Sequence, residues 1–324
     1  MPTRAEEFSY PAKSLPNFLK YPLSLPGVKK MAYRIKPDLV NAHFVPNYGL
    51  LGAWLRLQPL VISTWGSDVL VSPRKSWLHK LRAEYVLKRA DLVTADASIS
   101  ARALYKLGVE TEKVLTCPMG VEKNSIGQCQ KREKPYLLVM SNRKLESLYD
   151  VATLLRAIPL VTQQVKKDVK FVIIGEGSQK SHLLNMAIRL KIEAQVEFRG
   201  IVSRQMLTKC YRDSDIYVST ALSDSTSVSL LEAMNFGLVP IVTDIPGNRE
   251  WIEEEKNGFL FPGCDHKALA EKMVYLINQF TYWTDFRDRN QAIVRGRAVW
   301  EDNMGLIQDR FRELVSLSGN STQI

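Results

Sequence analysis

The chain is poor in the residue types that bind metal ions or build disulfides. Its 324 residues include only 4 histidines and 4 cysteines, and Cys117, Cys129, Cys210 and Cys264 have neither metal-site nor redox-motif spacing. No apolar run approaches the roughly 20 residues that span a bilayer, and the proline-broken N-terminus does not have the form of a signal peptide. These absences argue against a disulfide-built secreted domain or a transmembrane protein. We expect free thiols and a cytoplasmic location.

What is present is the composition of two globular α/β cores. At 45% apolar residues, the chain is long enough to bury two domains of ordinary size. Buried-strand patterns alternate with helical patterns through both halves, which favours parallel sheets. We expect a first domain over residues 1–125, a second over residues 126–282 and a terminal helical segment over residues 283–324, with a polar linker near residues 123–135. The strands predicted for the first domain are residues 39–42, 60–63, 92–95 and 114–116.

The most informative segment is residues 223–234, which reads SDSTSVSLLEAM. Strand-like residues lie on both sides of it, at 216–219 and 239–243. A polar loop therefore leads from one strand into a helix, predicted to open near Ser227, and the helix leads into the next strand. In such a unit, ligands bind where the loop enters the N-terminus of the helix.

Five residues of this segment are candidates for binding a phosphorylated polyol. The backbone N–H groups of Thr226, Ser227 and Val228 would face an anion, aided by the helix dipole. Asp224 could accept hydrogen bonds from ligand hydroxyls at the mouth of the site, although a loop aspartate often only caps the following helix. Glu232, one to two turns inside the helix, could accept from a vicinal diol, since its neighbours Leu, Ala and Met make a poor solvent face.

Two acids separated by seven residues, then Ala-Met and a glycine before a strand, resemble the donor-site signature of retaining GT-B glycosyltransferases of family 4, the glycosyl transferases group 1. Asp224 stands where the usual motif has glutamate. The resemblance implies two Rossmann-like α/β domains whose parallel sheets face an interdomain cleft. The further segments that resemble the family in order and spacing are residues 170–177 (KFVIIGEG), 196–202 (VEFRGIV), 244–250 (DIPGNRE), 257–260 (NGFL) and 265–277.

The beginning of the chain departs from this family pattern. Family members start with a strand, a glycine-rich loop and a helix that complete the first sheet, whereas residues 1–30 are interrupted by prolines and show no such signal. We therefore expect an incomplete N-terminal domain. Either the chain starts late relative to the family, or its acceptor domain is reduced.

The resemblance assigns further donor-binding residues. Arg143 follows a predicted strand at the position of the family's diphosphate-binding arginine, and guanidinium geometry suits that contact. The family's next lysine is absent, and Tyr149 stands near its place with a single hydroxyl donor. Gly175 and Gly177 would permit close approach of the backbone to a ligand, or form a plain strand-to-helix turn. Ile201 would flank the nucleotide base, although apolar residues after a strand are more often core.

The first half offers candidates on the acceptor side. Trp65 and Gly66 open a turn that resembles the family's His-Gly-x-Asp, with tryptophan in place of histidine. Asp68 in that turn would contact the transferred sugar or the acceptor, or else cap the next helix. His43 follows a predicted strand at the end that faces the cleft in this architecture, and a purely structural histidine is the alternative.

Positive charge is concentrated in the first half of the chain. Residues 1–125 contain 18 Lys and Arg against 10 Asp and Glu, so they carry +8 of the net charge of +10. The predicted helix over residues 76–90 combines these cations with Trp77, Leu81 and Tyr85, a pattern typical of a helix lying on anionic lipid. Packing against the domain explains the pattern equally well. No nucleic-acid-binding module is present, and we expect no nucleic acid partner.

The resemblance implies a hexosyl-type transferase of cell-envelope polysaccharide biosynthesis. It would move a sugar from a nucleotide sugar to a hydroxyl of a glycan, a lipid-linked acceptor or a small molecule, and the resemblance implies retention of anomeric configuration. We expect no cofactor and no metal. The spacing of Asp213 and Asp215 resembles a metal-binding Asp-x-Asp motif. Because they lie where a predicted helix ends before a strand, we expect their side chains to cap backbone groups or to be exposed to solvent. The alternatives are a non-catalytic nucleotide-sugar-binding protein and a GT-B epimerase or phosphorylase.

Overall fold

The structure, a computed structural model, describes residues 17–125, 134–279 and 283–320. Most of the predicted linker, including Gly127 and Cys129, and the first sixteen residues lie outside the described residues. The chain divides into a first unit, Met1–Cys117 with Met304–Ile324, and a second unit, Pro118–Asn303. The predicted boundary at residue 125 thus falls inside the second unit, and the predicted terminal segment is shared between the two units.

The first unit contains a sheet of four parallel strands in the order β1-β2-β3-β4. The two central strands are fully buried, whereas β1 lies at an edge and exposes Asn41 and His43. Strands buried on both faces are typical of parallel sheets covered by helices, which explains their continuous apolar sequences. The strands are β1 (Val40–His43), β2 (Leu60–Ser63), β3 (Leu92–Ala95) and β4 (Val114–Thr116), and the helices are α1 (Asn17–Ile35), α2 (Leu50–Leu55), α3 (Ser67–Leu70), α4 (Trp77–Leu87) and α5 (Ser98–Lys106).

The second unit contains a sheet of six parallel strands in the order β10-β9-β8-β5-β6-β7. The strands are β5 (Tyr136–Asn142), β6 (Asp168–Ile174), β7 (Val196–Gly200), β8 (Ile216–Ser219), β9 (Val239–Thr243) and β10 (Phe259–Phe261). The helices are α6 (Val151–Gln164), α7 (Lys180–Leu190), α8 (Arg204–Asp213), α9 (Val228–Asn235), α10 (Pro246–Arg249), α11 (His266–Asn278) and α12 (Trp283–Arg297). The last helix, α13 (Trp300–Asn320), begins in this unit, and its remainder belongs to the first unit.

The strand order of the second unit fixes where a ligand can bind. From β5 the chain builds outward through β6 and β7, then crosses back to place β8 on the other side of β5. The loops that follow β5 and β8 therefore diverge to opposite sides and leave a crevice at the carboxyl ends of these two strands, which is the usual ligand site of an open parallel sheet.

Three local expectations are corrected by the structure. The proline-broken start contains α1, a helix that includes Pro22 and Pro26. The sequence pattern of residues 49–57 predicts one helix after β1, but in the structure a π-helical turn, Phe44–Gly49, comes first and α2 ends at Leu55. The long terminal helix is broken into α12 and α13, because Val121 exchanges backbone hydrogen bonds with the chain at residues 298 and 300 and draws it out of helical geometry.

Candidate donor-binding site

The loops after β5 and β8 bring the sequence-predicted residues of the second unit together. Arg143 directly follows β5, and Asp224 lies in the loop between β8 and α9. Glu232 lies in the second turn of α9, where it is 7% exposed. The two acids and the arginine therefore lie at the crevice that the strand order predicts.

Arg143 is the centre of this arrangement. Its guanidinium forms an ion pair with Asp224 and donates to the hydroxyl oxygens of Ser227, at 2.5 Å, and Ser229, at 2.9 Å. The ring of Tyr149 lies against the guanidinium, with 4.5 Å from the guanidinium carbon to the ring centroid. Tyr149, near the position of the missing family lysine, thus contributes a cation–π contact.

Arg143 remains a cation although its side chain is only 9% exposed. Burial alone would lower its pKa, but the neighbouring Tyr217, Asp224 and Tyr149 outweigh burial, and the pKa is raised. A buried guanidinium with a fixed planar array of donors is suited to binding a diphosphate in two places at once.

Glu232 is held by two partners that the sequence did not predict. The Tyr211 hydroxyl donates to one carboxylate oxygen over 2.8 Å, and Arg204 forms an ion pair with the other. Burial, and then the charge of Glu232, raise the pKa of Tyr211 well above its usual value. Tyr211 therefore stays protonated and remains a donor to Glu232 across the ordinary pH range.

Ser229 connects the two acids into one network. Its hydroxyl lies 2.9 Å from both Arg143 and the Tyr217 hydroxyl, and its carbonyl oxygen lies 3.3 Å from the Tyr211 hydroxyl. Asp224 is thus joined to Glu232 through Arg143, Ser229 and Tyr211. The acids belong to a single site rather than to separate surfaces.

The N-terminus of α9 opens into the same site. Ser227 is the N-cap residue, and its side-chain oxygen accepts from the Leu230 N–H over 3.3 Å. The first N–H groups of a helix have no partner within the helix, so this end attracts anions. Thr226 and Ser227 are buried, and Val228 is 38% exposed at the mouth.

Gly175 and Gly177 are required by neighbouring backbone in this structure. A Cβ at Gly175, where φ is +140°, would lie 2.1 Å from the Arg143 carbonyl oxygen. A Cβ at Gly177 would lie 2.3 Å from the Leu145 carbonyl oxygen. The two glycines therefore allow the loop that carries Arg143 to pack against the loop after β6. Contact of these glycines with a ligand stays a prediction.

The structure also shows the surroundings of the remaining residues that the sequence singled out in the second unit, which are Ile201, Asp213 and Asp215. Ile201 is 83% exposed, so it is not a core residue, and its contact with a base stays a prediction. Asp213 is paired with Lys209, and Asp215 is paired with Lys134. Among the residues that the structure describes, no group of three or more His, Cys, Asp or Glu side chains is placed to hold a metal ion.

In the first unit, Asp68 accepts hydrogen bonds from the loop after β1 and from the loop after β2. It is 2% exposed, and its carboxylate oxygens accept the N–H groups of Trp65, at 2.9 Å, and Val45, at 3.1 Å. Burial raises its pKa, and these backbone donors offset part of that effect. Asp68 thus organises the turn that begins at Trp65 and Gly66, and a direct role in the reaction stays a prediction.

His43 and Trp65 are in contact at the ends of β1 and β2. The Trp65 indole N–H donates to His43 Nδ1 over 3.1 Å, and the two rings are stacked with centroids 5.6 Å apart. His43 is exposed and Trp65 is partly buried. The structure therefore groups two of the acceptor-side candidates on one surface of the first unit.

Comparison with known families agrees with this geometry. Residues 121–293 match the family model described as Glycosyl transferases group 1, and residues 6–97 match the model described as Glycosyl transferase 4-like. The first match alone covers more than half of the chain. The chain belongs to the glycosyl transferases group 1. The predicted family and the GT-B fold class with two Rossmann-like domains are confirmed, whereas the incomplete start stays a prediction.

Known glycosyltransferases resemble the chain over different lengths. The poly(ribitol-phosphate) alpha-N-acetylglucosaminyltransferase of Staphylococcus aureus (strain COL) is 30% identical over 151 residues, which are 46% of this chain and 28% of that protein. The putative colanic acid biosynthesis glycosyltransferase WcaL of Escherichia coli (strain K12) is 25% identical over 256 residues, 75% of this chain and 62% of that protein. The chain therefore spans less than two thirds of the length of either relative.

Solved structures share the fold of this glycosyl transferase. The crystal structure of Anabaena HepE in complex with UDP superposes with a TM-score of 0.76 and 20% sequence identity, over 90% of this chain and 82% of that chain. At this identity the likeness shows the fold.

Sequence reasoning missed the residues that hold the acids in place. Arg204 and Tyr211 on α8 lie 28 and 21 residues before Glu232 in the chain. No local spacing links α8 to α9, so their contact could not be predicted. Ser229 carried a weak signal, because it lies three residues before Glu232 and therefore on the same face of α9.

Proposed function

We propose that this glycosyl transferase moves a sugar from a nucleotide-sugar donor to an acceptor hydroxyl, with retention of anomeric configuration and without a metal ion. The proposal rests on one observation: Arg143, the N-terminus of α9 and the two acids share one network at the crevice between β5 and β8. The complex of its structural relative HepE with UDP supports a nucleoside diphosphate as the occupant of this crevice.

The proposed binding mode exchanges partners within the network. The donor diphosphate takes the place of Asp224 at Arg143 and accepts from backbone N–H groups at the start of α9. The ribose diol donates to Glu232 in place of the Arg204 guanidinium, whose side chain is 52% exposed and can move outward. Released from Arg143, Asp224 accepts hydrogen bonds from hydroxyls of the transferred sugar.

The same contacts favour bond cleavage. Negative charge develops on the diphosphate as the bond from the anomeric carbon to the leaving oxygen breaks, and Arg143 with the α9 dipole stabilises that charge. The acceptor hydroxyl attacks from the face that the diphosphate leaves, and its proton passes to a diphosphate oxygen. This route yields retention without a protein nucleophile.

Replacing Asp224 with alanine separates binding from transfer. Because Asp224 competes with the diphosphate for Arg143, we expect Asp224→Ala to bind UDP, GDP or ADP at least as tightly as the parent, while sugar transfer falls by about 100-fold. Calorimetry measures the first quantity, and release of nucleotide in the presence of an acceptor panel measures the second. Asp285→Ala, on exposed α12 surface, is the matched control.

Three outcomes would contradict the proposal. They are transfer at the parent rate by Asp224→Ala, products that NMR shows to be inverted at the anomeric carbon, and loss of activity on EDTA treatment that added Mg²⁺ restores. If the parent binds no nucleoside diphosphate, the proposed donor site is wrong.

We further propose that α4 binds an anionic membrane surface. Its apolar stripe, defined as Trp77, Leu78, Leu81 and Tyr85, falls within about 100° of the helix circumference. The first three side chains are 70%, 59% and 52% exposed, and the opposite face of α4 is packed into the core. Exposed apolar side chains in one patch mark interaction surfaces. Among the described residues, no helix is long and apolar enough to cross a membrane.

Charge favours lipid as the partner of this stripe. The exposed cations Arg74, Lys75, Lys80 and Lys88 precede, interrupt and follow it. Aromatic and leucine side chains can enter the headgroup region while the lysine and arginine ends contact anionic lipids. A glycosyl transferase held in this way would face lipid-linked acceptors.

Vesicle sedimentation tests the membrane proposal. We expect binding to phosphatidylcholine vesicles that contain phosphatidylglycerol, weakened by salt, and a loss of about tenfold or more in the double variant Trp77→Ser, Leu81→Ser. The matched control is Leu184→Ser, Ile188→Ser on α7, where the parent side chains are 39% and 58% exposed. Equal binding by both double variants, or dimerisation through α4 in size-exclusion chromatography, would reject the lipid surface.

A further inference from the structure

We propose that Glu122 is a positioning residue of the donor site, which receives the guanidinium of Arg204 when a ribose displaces that guanidinium from Glu232. This inference rests on the proposed transferase function and concerns how the same site exchanges an internal partner for a nucleotide. All three residues belong to the second unit. Glu122 was not among the site residues that the sequence suggested.

One guanidinium is shared between a buried and an exposed carboxylate. Arg204 forms an ion pair with Glu232, whose side chain is 9% exposed. Its other terminal nitrogen lies 3.8 Å from a carboxylate oxygen of Glu122, whose side chain is 66% exposed. The pKa of Arg204 is raised, first by the hydrogen bond to Glu232 and then, against the effect of burial, by the charges of both acids. The guanidinium therefore already lies between its present partner and a second one.

The two acids are anchored to the same helix. Glu232 lies in α9, and the side chain of Asn235, also in α9, donates to the carbonyl oxygen and the hydroxyl oxygen of Ser125, each over 3.1 Å. The Ser125 N–H and hydroxyl in turn donate to the Glu122 carbonyl oxygen, over 2.9 Å and 2.6 Å. These hydrogen bonds hold the backbone of Glu122 in a defined place relative to Glu232.

The residues on either side of Glu122 are held as well. The Val121 N–H donates to the Ala298 carbonyl oxygen, and the Lys123 N–H donates to a carboxylate oxygen of Glu301, each over 2.8 Å. Glu122 is therefore an exposed carboxylate on a fixed backbone, and it can receive a cation without rearrangement of the chain.

Arg204 is the member of the three that can move. It is the first residue of α8, and its side chain is 52% exposed. A change of its side-chain torsion angles moves the guanidinium without moving the helix. When the ribose diol donates to Glu232, the displaced guanidinium can close the 3.8 Å distance to Glu122 and keep an anionic partner. The reverse movement returns Arg204 to Glu232 and favours release of the nucleoside diphosphate after transfer.

Calorimetry with the full chain tests this exchange, using whichever of UDP, GDP and ADP binds the parent most tightly. We expect Glu122→Gln to weaken binding about two- to fivefold, because the displaced guanidinium loses an exposed ion pair. The 2′-deoxy analogue has one hydroxyl fewer to displace Arg204, so its affinity should change by less. Glu197→Gln is the matched control, since Glu197 is 60% exposed and also pairs with an arginine, and it should bind like the parent.

A double-mutant cycle separates the exchange from a purely structural role of Glu122. Arg204→Met removes the cation that competes with the ribose for Glu232, so we expect it to bind the nucleotide at least as tightly as the parent and to release it more slowly in stopped-flow measurements. In the Arg204→Met background, Glu122→Gln should have no further effect, because the residue through which Glu122 acts is absent.

The results separate this inference from the transferase proposal. Parent-like binding by Glu122→Gln, or an equal loss from Glu122→Gln with and without Arg204, would overturn the inference. Weaker binding by Arg204→Met would also overturn it, since Arg204 would then contact the nucleotide itself. In each of these cases nucleotide binding by the parent leaves the transferase proposal standing, whereas absence of such binding would overturn both.

Discussion

The carboxylates of the candidate residues are stabilised in different ways in the two units. In the second unit, Asp224 is paired with Arg143 and Glu232 with Arg204. In the first unit, the hydrogen bonds that Asp68 accepts come from backbone N–H groups, and burial raises its pKa. The charges of the second unit are therefore balanced by side chains that a ligand can displace, whereas those around Asp68 are part of the fold.

This difference indicates which unit is prepared for an anion. An arginine that is already paired costs less to keep buried, and a diphosphate can take the place of Asp224 at Arg143 so that the guanidinium keeps an anionic partner. The hydrogen bonds that Asp68 accepts from backbone N–H groups cannot be replaced by a ligand unless the two loops that donate them move. We therefore expect changes in the second unit to alter ligand binding and a change at Asp68 to alter stability.

Replacing Arg143 with methionine should have the largest effect. The variant removes the central cation and leaves Asp224 without its ion-pair partner, so we expect affinity for a nucleoside diphosphate to fall by about 10- to 150-fold. Calorimetry with UDP, GDP and ADP measures the loss. Arg189→Met, an exposed arginine of α7, is the control, and equal affinity in Arg143→Met and Arg189→Met would remove the distinction between the units.

A ribose-specific effect should follow from Glu232→Gln. If Glu232 accepts from the ribose diol, the parent will prefer UDP over 2′-deoxy-UDP, and the variant should lose about tenfold in UDP affinity and most of that preference. Glu271→Gln, exposed on α11, should keep both. An unchanged ratio of the two affinities in Glu232→Gln would show that this acid does not contact the ribose.

Tyr211→Phe should weaken nucleotide binding by a smaller factor, because Tyr211 only positions Glu232. Losing the hydroxyl removes the donor that stays on Glu232 when the ribose replaces Arg204, so the carboxylate is less well placed and we expect roughly threefold weaker UDP binding with little change for 2′-deoxy-UDP. The same calorimetric series measures it. If Tyr211→Phe weakens both nucleotides equally, Tyr211 supports the fold and does not position Glu232.

The smallest effect concerns pH and stability at Asp68. Because its pKa is raised in the folded chain, protonation favours folding, and this stabilisation is lost as pH rises from the unfolded value of 3.8 through the raised pKa. The melting temperature of the parent should therefore fall over this pH interval relative to that of Asp68→Asn, which cannot ionise at this position. A constant difference in melting temperature between parent and variant would contradict the assignment.

Much of the sheet topology was predictable because the strands are short, apolar and fully buried. Strands β2, β3, β8 and β9 lie at the residues that the sequence indicated, and Ser227 caps α9 as expected. The break between α12 and α13 was not predictable, since it is imposed by hydrogen bonds to Val121, far away in the sequence.

The candidate site was predicted in part, for a similar reason. Asp224 and Glu232 share one loop–helix unit, so their relation follows from local spacing. The pairing of Arg143 with Asp224 spans 81 residues and depends on the adjacency of β5 and β8, which only the assembled sheet shows. The positive φ of Phe44, +68°, could not be foreseen, because neighbouring residues do not require it.

Hydrogen–deuterium exchange of the full chain, measured with and without saturating UDP, GDP or ADP, tests the central claim most directly. We predict protection by at least one nucleotide in two segments, with the Asp68 turn unaffected. These segments are the loop that carries Arg143 and residues 224–232, which comprise the loop before α9 and its first turns. Protection that bypasses both segments, or no protection with any of the three nucleotides, would contradict the account.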